Sequence, residues 1–316
     1  MLPPLPALTP DTYLNRELSA IAFNQRVLAL AQNPAIPLLE RVRFLAIVGN
    51  NLDEFFMVRV SSYIKKAHVN IDTARPDGLT PNQLLFAIRE RVTVLMGELR
   101  ATLRALLAEL REQGIFVHTI SELPQIDREA VRRFFEQEIF PILTPLAADG
   151  ARPFPFISNL SMNIAVHLIE EGQSDDPENY LFVRLKIPET LSRFVDLNRI
   201  RRLYGGNLDS ATTHDFVWIE EVIADNLDLL CPGMRVVEQH PFRVTRDADI
   251  NYEHEIDDDE EDFADVIESG LKERRFGEIV RLTVQDTISQ PMLQRLTEEL
   301  EIALERDVYI IDGALG

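Results

Sequence analysis

Hydrophobic positions recur along this chain in two rhythms. Leu85, Ile88, Val92, Leu95, Leu99, Leu103, Leu106 and Leu110 step by three or four residues, the spacing of an amphipathic helix, and Gly114 closes it. Upstream, Leu14, Leu18, Ile21 and Leu28 share one helix face. Thr9 or Asp11 is expected to start that helix, and Asn33, Pro34 and Pro37 to break it. A second helix begins at Leu38 and carries Leu39, Val42, Leu45 and Ile47, then Leu52, Phe55, Phe56, Val58 and Ile64. Residues 69–81 read as a loop. Three helices over 11–113 predict an antiparallel bundle, preceded by a flexible arm at 1–12.

Past residue 114 the rhythm shortens. Strands are predicted at 115–120, 163–169, 180–187, 234–245, 278–284 and 308–311. Helices are predicted at 127–140, 260–275 and 291–304, and 216–229 passes from a strand end into a helix. Pro141, Pro145, Pro153 and Pro155 mark irregular chain. Strands mixed with helices in this order predict an α+β domain. The fold class is therefore α+β multidomain, with a three-helix bundle followed by a mixed region from 114.

One stretch breaks the helical pattern. Residues 49–60 read GNNLDEFFMVRV, and Gly49, Asn50 and Asn51 together cost about 2 kcal/mol relative to alanines inside a helix. Two expectations follow. As a simple kink, Gly49 ends one helix while Asn51 caps the next, with Glu54 completing an N-x-x-E box. As a site, the new helix start offers free N–H groups and amides to a nucleotide base or phosphate. Arg41, Arg43 and Arg59 lie close by as positive charge.

Composition narrows the function classes. The 316 residues suit two domains, with 46% hydrophobic and 27% charged residues. A net charge of −20 disfavours nucleic-acid and anionic-membrane partners. No apolar run reaches about 18 residues, so no membrane-spanning segment is expected. The start, MLPPLPALTP, lacks a signal peptide's basic and apolar regions. The single Cys231 excludes a disulfide framework and fits a cytoplasmic chain.

No self-contained catalytic constellation emerges. His68, His118, His167, His214, His240 and His254 form no H-x-x-x-H or H-E-x-x-H pair, so no metal site is expected. Walker, nucleophile-elbow and kinase glycine-loop motifs are missing. The acidic run EHEIDDDEED, residues 253–262, lacks the glycine and ligand spacing of an EF-hand and reads as a solvated helix start. Gly205–Gly206 reads as a turn, and Cys231 as a buried or turn thiol. Arg199, Arg201 and Arg202, and Lys272, Arg274 and Arg275, are either ordinary surface charge or contacts to phosphates or an acidic partner.

Five ordered segments carry a resemblance: YLNRELSAIAFNQRVLALA, PLLERVRFLAIVGNNLDEFFMVRV, FPFISNLSMNIAV, FRVTRDADI and DVYIIDGALG. From Tyr13 onward the chain resembles the N-terminal half of the large, histidine-phosphorylated bacterial polyphosphate kinases. The resemblance implies an N-terminal helical domain at 13–113 and a head domain at 114–316, with two C-terminal catalytic domains lying beyond this chain. It implies reversible transfer of the ATP terminal phosphate to inorganic polyphosphate through a phosphohistidine, and dimer or higher homo-oligomer assembly through the head. Asn51 is the implied ATP contact. Catalytic residues and magnesium are expected in the missing domains, as is the basic channel that a net −20 chain lacks. Ala20 departs from the family, which usually has Trp there. The other expectation from the sequence is a non-catalytic scaffold or regulatory interaction module.

Overall fold

An asparagine, not Thr9 or Asp11, starts the first helix. In the computed structural model, which describes residues 9–69, 74–148, 153–207, 213–248 and 277–315, Asn15 Oδ1 accepts from the N–H groups of Glu17 and Leu18 at 3.0 and 2.9 Å. Those two donors have no partner inside the helix, so the cap fixes where helix α1, Arg16–Gln32, begins. Thr9 belongs to a separate turn, and Leu14, expected on the buried face, is 92% exposed. The chain divides into two compact units. One comprises Met1–Thr102, Thr245–Leu282 and Ile302–Tyr309, and the other Leu103–Val244, Thr283–Glu301 and Ile310–Gly316.

In the first unit, helix α2 spans Leu38–Glu54 without interruption. The expected break at Gly49–Asn51 is not there, and Asn51 caps nothing. Packing overrides propensity at this point: Leu45, Val48 and Leu52 are buried along one face of α2. The irregularity lies one turn later. Residues Phe55–Val60 form a π-helical turn in which Ser61 N–H donates to the Phe56 carbonyl, five residues back. Phe55 and Phe56, adjacent in sequence, are thereby both buried. Helix α3, Ser61–His68, continues from it. Helix α4, Pro81–Glu112, buries Leu84, Ile88, Val92, Leu95 and Leu99 as its periodicity predicts.

A Cβ built at Gly49 meets nothing within 4 Å. Gly49→Ala is therefore expected to stabilise the chain by about 0.5–1 kcal/mol, the helix-interior difference between the two residues. Thermal unfolding measures it, and a destabilised variant would show that α2 needs the glycine.

The second unit is mixed α+β. In chain order it contains β1 (Ile115–His118), α5 (Gln125–Phe134), β2 (Pro145–Ala148), β3 (Met162–Glu170) and β4 (Leu181–Lys186). Then come β5 (Phe194–Asp196), α6 (Leu197–Tyr204), β6 (His214–Trp218), α7 (Ile219–Ala224) and α8 (Leu227–Leu230). Strand β7 (Met234–Arg246), β8 (Ile279–Gln285), α9 (Gln290–Glu299) and β9 (Val308–Ile311) complete the order, the three strands having residues in both units, while α10 (Leu304–Asp307) belongs to the first. One sheet has the order β1-β6-β5, with β1 parallel and β5 antiparallel to β6. The other has the order β2-β4-β3-β7-β8-β9. Ile164, Val166 and Leu168 on β3 and Val183 and Leu185 on β4 face a core shared with Val131, Phe135, Ile200 and Val217.

Several expectations change. Pro145, expected in irregular chain, opens β2, where a proline is tolerated at the first residue of an edge strand. Helix α5 starts at Gln125 and gives way at Phe135 to a second π-helical turn, Phe135–Ile139. The helix expected over 291–304 ends at Glu299. The helix expected over 260–275, the acidic run 253–262, Lys272, Arg274 and Arg275 lie outside the described residues.

Candidate nucleotide-contact site

Asn51 sits half-buried on α2, facing α1. Its Nδ2 donates to Asn24 Oδ1 at 2.9 Å, and Asn24 Nδ2 donates to the Ala20 carbonyl at 3.0 Å. A carbonyl can only accept, so Asn24 must turn its amide nitrogen to Ala20 and its oxygen to Asn51. Asn51 must then present its own nitrogen to Asn24. That relay fixes the orientation of both amides and leaves Asn51 Oδ1 as an acceptor without a partner among the described residues. Ala20 takes part through its backbone carbonyl, so this contact does not depend on the side chain at that position.

A charged core lies two residues on. The Asp53 carboxylate accepts from Arg281 Nη2, and that guanidinium also donates from Nη2 and Nε to Thr245 Oγ1 at 2.9 and 3.2 Å. The Arg281 guanidinium lies 4.6 Å over the Phe56 ring, and Phe56 meets Tyr309 edge-on at 5.4 Å. Arg89 covers Tyr309 at 5.0 Å and donates to the Arg306 and Val308 carbonyls at 3.1 and 2.9 Å. Burial pushes the Tyr309 hydroxyl up to about 12. This network locks the end of α2 and the π turn against β8 and β9 residues of the same unit.

The geometry changes what the site offers. Inside an unbroken helix the N–H groups of 49–51 are already spent, so the anion-binding helix start expected from the sequence does not form. Arg41 is buried and gives Nε to the Ala31 carbonyl at 2.8 Å. Arg43 is exposed, 3.8 Å from Glu40, and Arg59 is half-buried in the π turn. An oriented amide suits a base edge better than a phosphate. Asn24 was legible as a polar residue among the apolar positions Ile21 and Leu28 of α1, since buried amides are nearly always hydrogen-bonded. Arg281, more than two hundred positions from Asp53, carried no such signal.

Other candidates fall into place. Arg201, weighed as surface charge, is buried between Asp127 and Asp215, while Arg199 binds Glu138 at 3.0 Å and Arg202 is exposed. His118 pairs with Asp215, and His167 and His240 both hold Glu238. Cys231 is buried, and burial pushes its thiol up, away from nucleophilic character. Gly205 adopts φ 76°, as a turn requires. Among the described residues no group of three or more His, Cys, Asp or Glu is placed to hold a metal. No helix among them is long and apolar enough to cross a membrane.

Comparison with known proteins supplies the family. Residues 13–118 match the polyphosphate kinase N-terminal domain and residues 127–316 the polyphosphate kinase middle domain. The chain is 42% identical over 313 residues to a polyphosphate kinase of Mycobacterium marinum, covering 98% of this chain and 40% of that protein. It is 42% identical over 310 residues to one of Mycobacterium tuberculosis, covering 98% of this chain and 41% of the relative. The crystal structure of polyphosphate kinase from Porphyromonas gingivalis shares the fold, with a TM-score of 0.74 at 24% identity over 96% of this chain and 40% of that one. Spanning about 40% of the length of these relatives, the chain belongs to the polyphosphate kinase family.

Proposed function

We propose that this chain forms the nucleotide-contacting and scaffold portion of an ATP:polyphosphate phosphotransferase. In this reading residues 13–113 are the N-terminal helical domain, three antiparallel helices, and residues 114–316 are the head. The substrates are ATP and inorganic polyphosphate. The ATP terminal phosphate moves reversibly through a phosphohistidine, which, with magnesium and its neutralising chemistry, belongs to the part of the enzyme outside these residues. The head supports homo-oligomer formation, and the enzyme acts in the cytoplasm.

The observation that carries the nucleotide contact is the Asn24–Asn51 relay. Asn51 Oδ1, left without a partner among the described residues, accepts a hydrogen bond from the exocyclic amine of adenine. A base with a carbonyl at that position presents an acceptor instead, which an amide oxygen rejects. In the complete enzyme, Asn51→Ala is expected to weaken ATP binding about tenfold, the worth of roughly one hydrogen bond, and to narrow the preference for ATP over inosine triphosphate. Titration calorimetry with both nucleotides measures it. Unchanged ATP affinity and unchanged preference would leave Asn51 a packing residue. Purified 1–316 is expected to make no polyphosphate from ATP, and sustained synthesis by it would overturn the placement of the chemistry.

A further inference from the structure

One face of the β3–β4–β7 region carries an unbalanced charge. Directly paired residues of antiparallel strands point to the same side of a sheet. Asn163 therefore shares a row with Lys186 and Phe242, Ala165 with Arg184 and His240, and His167 with Phe182 and Glu238. In the last row acid and base are matched: Glu238 meets His167 at 2.8 Å and His240 at 2.9 Å, one oxygen for each ring. The middle row is not matched. Arg184 is only 6% exposed, and its hydrogen bond runs from Nε to Asn163 Oδ1 at 2.7 Å. Asn163, fully buried, gives Nδ2 to the Ser161 carbonyl and Oγ at 2.9 and 3.1 Å, which holds its oxygen toward Arg184.

Among the described residues no carboxylate meets this guanidinium. The fully enclosed, unpartnered side-chain atoms among the described residues are Glu220 Oε2, Gln239 Oε1 and Arg295 Nε, and the Nη groups are not with them. The Nη end thus keeps an opening. Burial lowers the Arg184 pKa with no acid to offset it, yet a guanidinium does not shed its proton in a protein. A buried ion without a counter-charge is strongly destabilising, a cost that an anion at the Nη end would offset. A second cation stands on the same face: Lys186, two residues along β4, with Nζ 2.8 Å from Ser158 Oγ. Ala165, between Arg184 and His240, contributes only a methyl group.

We propose that Arg184 and Lys186 form an oxyanion site in the second unit that takes a phosphate group, supplied by inorganic phosphate or by the end of a polyphosphate chain. The two Nη groups of Arg184 offer the fork that matches two phosphate oxygens, and Lys186 adds a point charge. The site involves neither Asn51 nor ATP, so it stands or falls separately from the nucleotide contact.

The full chain tests it. Binding of orthophosphate and of tripolyphosphate is followed by calorimetry, and thermal unfolding by fluorescence of Trp218, with sodium chloride at matched ionic strength as control. At least one of the two is expected to bind and to raise the midpoint. Orthophosphate binding shows that a single phosphate group suffices, whereas tripolyphosphate binding alone identifies the chain end as the source. Arg184→Met should weaken binding about tenfold or more, as loss of a charged bidentate contact does. Without phosphate it should unfold no earlier than the parent, because the uncompensated charge is gone. Lys186→Gln, which leaves Arg184 in place, should weaken binding by a smaller factor, and carries the test if Arg184→Met fails to fold. No response of the parent to either anion, or the same affinity in the variants, overturns the site.

Discussion

Asp53→Ala is expected to lower the stability of the first unit by about 3–5 kcal/mol, the range for removing one partner of a buried ion pair. The side chains of Arg281 and Asp53 are 4% and 12% exposed. Without Asp53 the guanidinium keeps the Thr245 hydroxyl and the Phe56 ring but loses this carboxylate, and it cannot neutralise itself. Arg281→Met is expected to cost less. The carboxylate left behind is the more exposed partner and can take up a proton. Denaturant unfolding followed by far-UV circular dichroism, dominated in this unit by its helices, measures both. Equal losses, or a loss below about 1 kcal/mol for Asp53→Ala, would show that the pair behaves like a solvated one.

The second large effect lies in the other unit and depends on pH. Arg201 donates to Asp127 Oδ2 at 2.8 and 3.1 Å and to Asp215, with the Asp127 side chain fully buried and that of Asp215 5% exposed. Burial pushes the Asp215 carboxyl up, but hydrogen bonds from Arg201 and His118 outweigh it and hold the group below the usual carboxylate range. A carboxyl depressed in the folded state contributes stability above its unfolded value of about 3.9, and that contribution is lost as pH falls through the folded value. Arg201→Met removes the largest depressing interaction and leaves two carboxylates in the core. The variant is expected to lose about 3–5 kcal/mol at neutral pH, with the gap to the parent narrowing as pH falls and Asp215 protonates. Trp218, the single tryptophan, lies on β6 with Asp215, so its fluorescence reports this unit. A gap that does not change with pH would mean that the loss is one of packing alone.

What the sequence revealed, and what it hid, follows from the range of the forces involved. Helix α4 was legible because its buried apolar side chains repeat from Leu84 to Leu110, about seven turns. Strands β3, β4 and β8 were legible as short, largely apolar runs buried along most of their length. Strand β5 has three residues, too few to show alternation, and α6 behind it is only eight long. Asn15 does not stand out from Thr9 and Asp11 in the sequence because several residues nearby can cap, and only the position of the packed face decides among them. At Gly49–Asn51 local propensity pointed one way and the burial of Leu45, Val48 and Leu52 the other; burial prevailed. The resemblance marked Asn51, but not that Asn24 orients it or that Arg281 fastens the turn beyond it. Those partners are set by tertiary contacts, for which a single chain of letters has no period.

The π turn at Phe55–Val60 bears on how this helix can vary in length. An α-helix advances about 100° per residue, so losing one residue anywhere in α2 would swing every later side chain to a different face. The wide turn already holds a residue beyond what α geometry uses. Omitting one there, at the half-exposed Val58, closes the loop into ordinary helix and leaves Leu52 and Ile64 in phase. The segment behind the asparagines therefore has one link of slack, placed where its loss would not turn the buried faces.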